Sequence, residues 1–121
     1  MEHKSDIMKI KKTILITFSV RSEKFDSNYE RNKFFRELYG WKQTVPAQNK
    51  TYEYHRDGLL DEMPHKKVHQ SSFIVPEDNF DKITHFFEEW HKKVIWKTFK
   101  VLLDDKEIRE MFEEFEEVEE E

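Results

Sequence analysis

The chain has 121 residues, enough for one domain with a modest core, and its 36% hydrophobic and 39% charged residues are accompanied by eleven Phe, which argues against disorder throughout. The absence of Cys excludes a disulfide framework, a thiolate metal site and a thiol nucleophile, and the longest apolar stretches are far too short to cross a bilayer. A cytoplasmic protein with no membrane partner is expected, its Lys- and Glu-rich composition resembling thermophile surfaces. The net charge of −5 is unevenly spread: residues 101–121 hold eleven acids against two bases, a balance of −9, while residues 1–100 hold fifteen acids against nineteen bases, a balance of +4. An acidic tail on a mildly basic body leaves a nucleic-acid partner open.

From Lys12 to Val20, Ile14, Ile16, Phe18 and Val20 alternate with Thr13, Leu15, Thr17 and Ser19, which predicts a first strand. Ser27 followed by Glu30 has the spacing of a capping box, Phe34, Phe35, Leu38 and Tyr39 make an apolar stripe, and Gly40 closes it; a helix over 28–39 follows. Pro46 and the polar run Gln48-Asn49-Lys50 interrupt before a second alternating strand, Thr51 to His55. The connector 56–67 is expected to expose Leu59, Leu60 and Met63, and Val68 to Val75 reads as a third strand.

Asp78 is the expected N-cap of a second helix carrying Phe80, Ile83, Phe87 and Trp90 on one face. Val94 to Leu103 has large apolar groups on both faces, as a fourth strand buried on both sides would. After Asp104-Asp105, Ile108, Met111, Phe112, Phe115 and Val118 recur at helical spacing. Together these elements predict an α+β fold, a ferredoxin-like βαββαβ domain over 1–103. Its four-stranded antiparallel sheet would carry both internal helices on one face, with an acidic amphipathic helix over 104–121 packed on or extending it. The open sheet face, with Leu15, Thr17 and either Trp96 or Phe99, would need a cover from a second subunit, the C-terminal helix or a ligand, and a homodimer is the favoured one.

Chemistry-bearing groupings are sparse. Glu62, His65 and His69 approach metal-ligand spacing, with solvated or structural histidines as the alternative. The pairs Asp57 with Asp61 and Asp104 with Asp105 could hold Mg²⁺ if another subunit contributed ligands, the latter pair also serving as helix caps. Ser19, Ser22 and Asp26 surround the end of the first strand but stand in no nucleophile motif. Basic residues gather at Lys9, Lys11 and Lys12, at Lys66 and Lys67, and at Lys92 and Lys93 with Lys97 and Lys100. Arg31, Lys33 and Arg36 line the polar side of the first helix. This pattern suits a surface that follows the phosphate backbone of DNA or RNA.

The segment Arg31-Asn32-Lys33-Phe34-Phe35-Arg36-Glu37-Leu38-Tyr39-Gly40-Trp41, with the strand order above, resembles the small ferredoxin-like nucleases of CRISPR spacer acquisition and their toxin-like relatives. That resemblance implies a homodimer with stacked sheets and, in nuclease members, a metal-binding Asp at the end of the first strand. Here the strand ends Thr17-Phe18-Ser19-Val20-Arg21 without an acid, and Asp26 is the candidate that follows it. The expectation is therefore a dimeric nucleic-acid-associated protein without catalysis, contacting phosphates through Arg31, Lys33, Arg36, Lys66, Lys67, Lys92 and Lys93. The alternatives are a Mg²⁺-dependent endonuclease using Asp26 or the His65 and His69 region, and a regulatory module that binds a protein partner through the connector or the C-terminal helix.

Overall fold

The computed structural model describes residues 12–120, which form two compact units, one of residues 12–21 and 64–120 and the other of residues 22–63. Lys9 and Lys11 lie outside the described residues.

The first unit is built on a four-stranded antiparallel sheet of order β4-β5-β1-β6, with β1 at Thr13–Val20, β4 at Lys66–His69, β5 at Ser72–Pro76 and β6 at Val94–Val101. Alternation along β1 sends Ile14, Ile16 and Phe18 to one face, where all three are buried, and the register puts Val75 opposite Ile14 and Phe73 opposite Ile16. Helix α2, Phe80–Glu89, covers this face. Its Phe87 ring stands 5.4 Å from Phe18, 6.4 Å from Phe73 and 5.5 Å from Trp96, so a single aromatic cluster ties the helix to three strands. Removing such rings from water contributes about 1.5–3 kcal/mol each and forms the main stabilising term of the unit. Helix α3, Asp105–Glu120, begins where the Asp104 carboxylate accepts the Glu107 N–H at 2.8 Å, and it buries Met111.

The second unit contains helix α1, Asn28–Tyr39, a hairpin of β2 (Trp41–Ala47) with β3 (Lys50–Arg56), and a 3-10 turn at Leu59–Glu62. The Ser27 hydroxyl accepts the Glu30 N–H at 3.2 Å, while the Glu30 carboxylate accepts the N–H of Asp26 at 2.7 Å, so both halves of the helix start are satisfied. Gly40 ends α1 at φ 81°, a conformation that favours glycine. The chain has two glycines, and they touch: a Cβ on Gly58 would lie 2.2 Å from the Gly40 nitrogen.

The simple ferredoxin-like βαββαβ order is therefore incorrect. The alternating segment Thr51 to His55 belongs to β3, which pairs with β2 in a separate two-stranded sheet, and the edge of the main sheet is filled instead by β4. The expected third strand is two strands, β4 and β5, joined through Gln70-Ser71. Pro46, read as a breaker, sits inside β2 opposite Thr51; in a two-stranded ribbon each strand keeps an outward side on which a missing N–H costs no pairing. Strand β6 is an edge and not a doubly buried strand, with Ile95 and Phe99 each half exposed. Leu60 and Met63 are buried, contrary to the exposed connector expected. Asn79, not Asp78, precedes α2 as its cap, after a short 3-10 turn at Glu77–Asn79.

Candidate phosphate-binding groove and the placement of the polar residues

The face of the main sheet opposite α2 carries Leu15 and Thr17 of β1. Ile74 and Ser72 of β5 stand beside them on one side, and Phe99 and Lys97 of β6 on the other. Trp96 faces α2, so Phe99 is the aromatic residue of the open face. Toward the end of β1 this face opens into a groove of about 420 Å³. Thr17 and Ser19 of β1, Ser71 and Ser72 at the start of β5, His69 of β4 and Lys97 of β6 line it, together with Phe18 and Ile95. The antiparallel register causes this convergence, since Thr17 is flanked directly by Ser72 and Lys97, and Ser72 in turn by His69.

The groove is lined by hydroxyls, an imidazole and an ammonium group, with no carboxylate among its walls. Hydroxyl and imidazole N–H groups donate to phosphate oxygens, and a lysine adds charge without demanding a fixed geometry. Further cations belong to the same end of the sheet: the Arg21 N–H donates to the Lys93 carbonyl at 2.8 Å, closing the turn that holds Lys92 and leads into β6. Acids at the opposite end include Glu77, whose carboxylate lies 3.8 Å from Lys100.

The seven basic residues singled out from the sequence divide between the units. Lys66 and Lys67 lie on β4, Lys66 opposite Ile74 and so on the groove's side of the sheet, Lys67 opposite Phe73 and so on the α2 side. Lys92 and Lys93 sit at the groove's end of the first unit. Arg31, Lys33 and Arg36 belong to the second unit, each with a local contact: Arg31 lies 5.1 Å over Phe35, Arg36 lies 4.3 Å over Trp41, and Lys33 lies 3.9 Å from Glu37. Lys97, left at the margin of the sequence pattern, is the lysine that lines the groove.

Asp26 takes part in the α1 cap through its backbone N–H. His65 and His69 do not share a ligand cluster; His69 enters the groove instead. Among the described residues, the His, Asp and Glu side chains that do converge are His55, Asp57 and Asp61, with ligand atoms all within 4.8 Å of one another. Asp57 and Asp61 stood out in the sequence as a pair, while His55 was hidden as one member of an alternating strand. Tyr39 is half-buried, and desolvation pushes its pKa up to about 12.

No helix among the described residues is long and apolar enough to cross a membrane. Compared with known protein families, curated proteins and solved structures, the chain finds no match in any of the three. The class defined by fold and site is therefore an α+β protein with a polar, cation-bearing groove on the open face of an antiparallel sheet.

Proposed function

We propose that the first unit binds the phosphate backbone of a nucleic acid, without catalysis, at the groove on its open sheet face. The observation that carries this reading is the convergence of Lys97, His69, Thr17, Ser19 and Ser72 in a groove without a carboxylate. Arg21, Lys92 and Lys93 at the same end, and Lys66 on the adjoining edge, extend the cationic surface beyond it. Contacts of this kind position a backbone and read no bases. The half-exposed Phe99, on this face but outside the groove's walls, favours a second copy of the chain as a neighbour beside the groove.

The acidic α3 is the natural competitor for the same cations. Its Met111 is buried, so removing the helix would open the core, and charge substitution is the cleaner perturbation. Fluorescent single- and double-stranded DNA and RNA would be titrated at two salt concentrations, with oligomeric state followed by light scattering. Binding should weaken steeply with salt, weaken again in Lys97→Glu, and strengthen when the exposed Glu110, Glu113 and Glu114 become Gln. Loss of one phosphate contact should reduce the salt slope by about 1. Absence of binding by the wild type and the Gln variant alike would sink this reading and leave a protein-interaction module as the better account.

A further inference from the structure

The second unit holds a group of side chains that the phosphate-binding reading does not use. His55 is the sixth residue of β3, Asp57 follows the strand, and Asp61 lies on the 3-10 turn that comes after Gly58. Nε2 of His55 is 3.0 Å from Oδ2 of Asp61 and 3.4 Å from Oδ1 of Asp57. Asp61 is held in place because its Oδ2 also accepts the Gly58 N–H at 2.8 Å, at the point where Gly58 and Gly40 meet. We propose that His55, Asp57 and Asp61 bind a divalent cation of the Zn²⁺ type, clipping the end of the hairpin to the turn.

Three arguments support this. Ligand atoms about 2.0–2.1 Å from a shared ion stand roughly 2.9–3.4 Å apart in octahedral or tetrahedral geometry, which is the spacing seen around His55. Charge gives the second: the two carboxylates place two negative charges together, which one divalent cation balances. The donor set gives the third, because imidazole combined with carboxylate suits Zn²⁺ and its open-shell analogues, while Mg²⁺ prefers oxygen alone. Three protein ligands leave further positions on the ion for water. Asp57 and His55 are well exposed, at 75% and 57%, so an ion can enter without the unit opening. A hairpin whose β3 is exposed along its whole length gains most from such a clip.

The full-length chain would be titrated with Co²⁺, followed by its visible absorption, and with Zn²⁺ and Mg²⁺ by calorimetry, alongside His55→Ala and Asp57→Asn. Both substitutions are at exposed side chains, and circular dichroism would confirm that they leave the fold in place. The expected result is one Co²⁺ or Zn²⁺ per wild-type chain, much weaker Mg²⁺ binding, and at least a tenfold loss of Zn²⁺ affinity in each variant, since even residues behind the ligands typically cost about 10–100-fold. Zn²⁺ should also slow hydrogen exchange in β2 and β3 of the wild type and leave exchange in His55→Ala unchanged. Failure of the folded wild type to bind Zn²⁺ or Co²⁺, or binding that both variants retain in full, would overturn the proposal. Nucleic-acid binding at the groove is a separate measurement, and neither result decides the other.

Discussion

Gly58→Ala tests the packing that organises the second unit. Gly58 has φ −103°, where alanine is comfortable, so in open space the substitution would stabilise the protein by about 0.4–1 kcal/mol through the unfolded chain. The structure reverses that sign. A Cβ there would meet the Gly40 nitrogen at 2.2 Å, the Tyr39 carbonyl carbon at 2.7 Å and the Leu38 carbonyl carbon at 2.8 Å, all of them backbone atoms that no rotamer change can move. The end of α1 and the turn would have to part by more than an ångström, and the cost should reach or exceed ~3 kcal/mol, the upper end of ordinary overpacking. Chemical denaturation would be combined with hydrogen exchange resolved along β2 and β3 and at the Gly40 amide, which donates to the Arg36 carbonyl at 2.8 Å. Faster exchange there, with the hydrogen bond between His55 and Asp61 broken, is the expected outcome. A variant as stable as the wild type, or more stable, would refute the close approach of the two glycines.

Phe87→Ala removes a fully buried ring that touches Phe18, Phe73, Phe86 and Trp96, and should destabilise the first unit by about 3–5 kcal/mol in a denaturant titration; a loss below ~1 kcal/mol would contradict the cluster. Tyr39, with its pKa raised from 10.0 to about 12 by desolvation, keeps its proton in the folded protein after the unfolded chain has lost it. Its contribution to stability is therefore complete below pH 10 and is lost as pH rises toward 12. The difference in tyrosinate absorbance between wild type and Tyr39→Phe measures this, and ionisation of Tyr39 near pH 10 would disprove its desolvation.

Local chemistry made some elements legible in the sequence, and missing partners hid others. Helix α1 has the bounds 28–39 read from the sequence because a capping hydroxyl and a terminal glycine mark both ends within a few residues. Strand β1 was legible from its alternation. Segment 51–55 was equally legible as a strand but not as a member of a particular sheet, since alternation says which residues share a face and nothing about the neighbour across the ladder. The Gln70-Ser71 junction carries none of the Gly, Pro or Asn-Gly signals that mark tight turns, so β4 and β5 read as one run. In β6, apolar residues on both sides suggested double burial; the edge position leaves Ile95 and Phe99 half exposed instead. The groove shows the same limit. Ser19 was visible as a displayed residue at a strand end, but Lys97 and His69 join it only through register with β1 and β5, across gaps of dozens of residues.

Those gaps also set the order in which the chain assembles. Thr13 of β1 pairs with Val101 of β6 and donates its hydroxyl to that carbonyl at 2.7 Å, across a separation of 88 residues. The unit of residues 22–63 is one continuous stretch, whereas the other unit is interrupted by it. On the ribosome, α1 and its hairpin can complete their contacts while β1 has no strand to pair with, because β5 and β6 have yet to emerge. Throughout that interval Ile14, Ile16 and Phe18 stand in water on an unpaired strand, so the slow and aggregation-exposed step of synthesis is the closing of the main sheet around a strand made first.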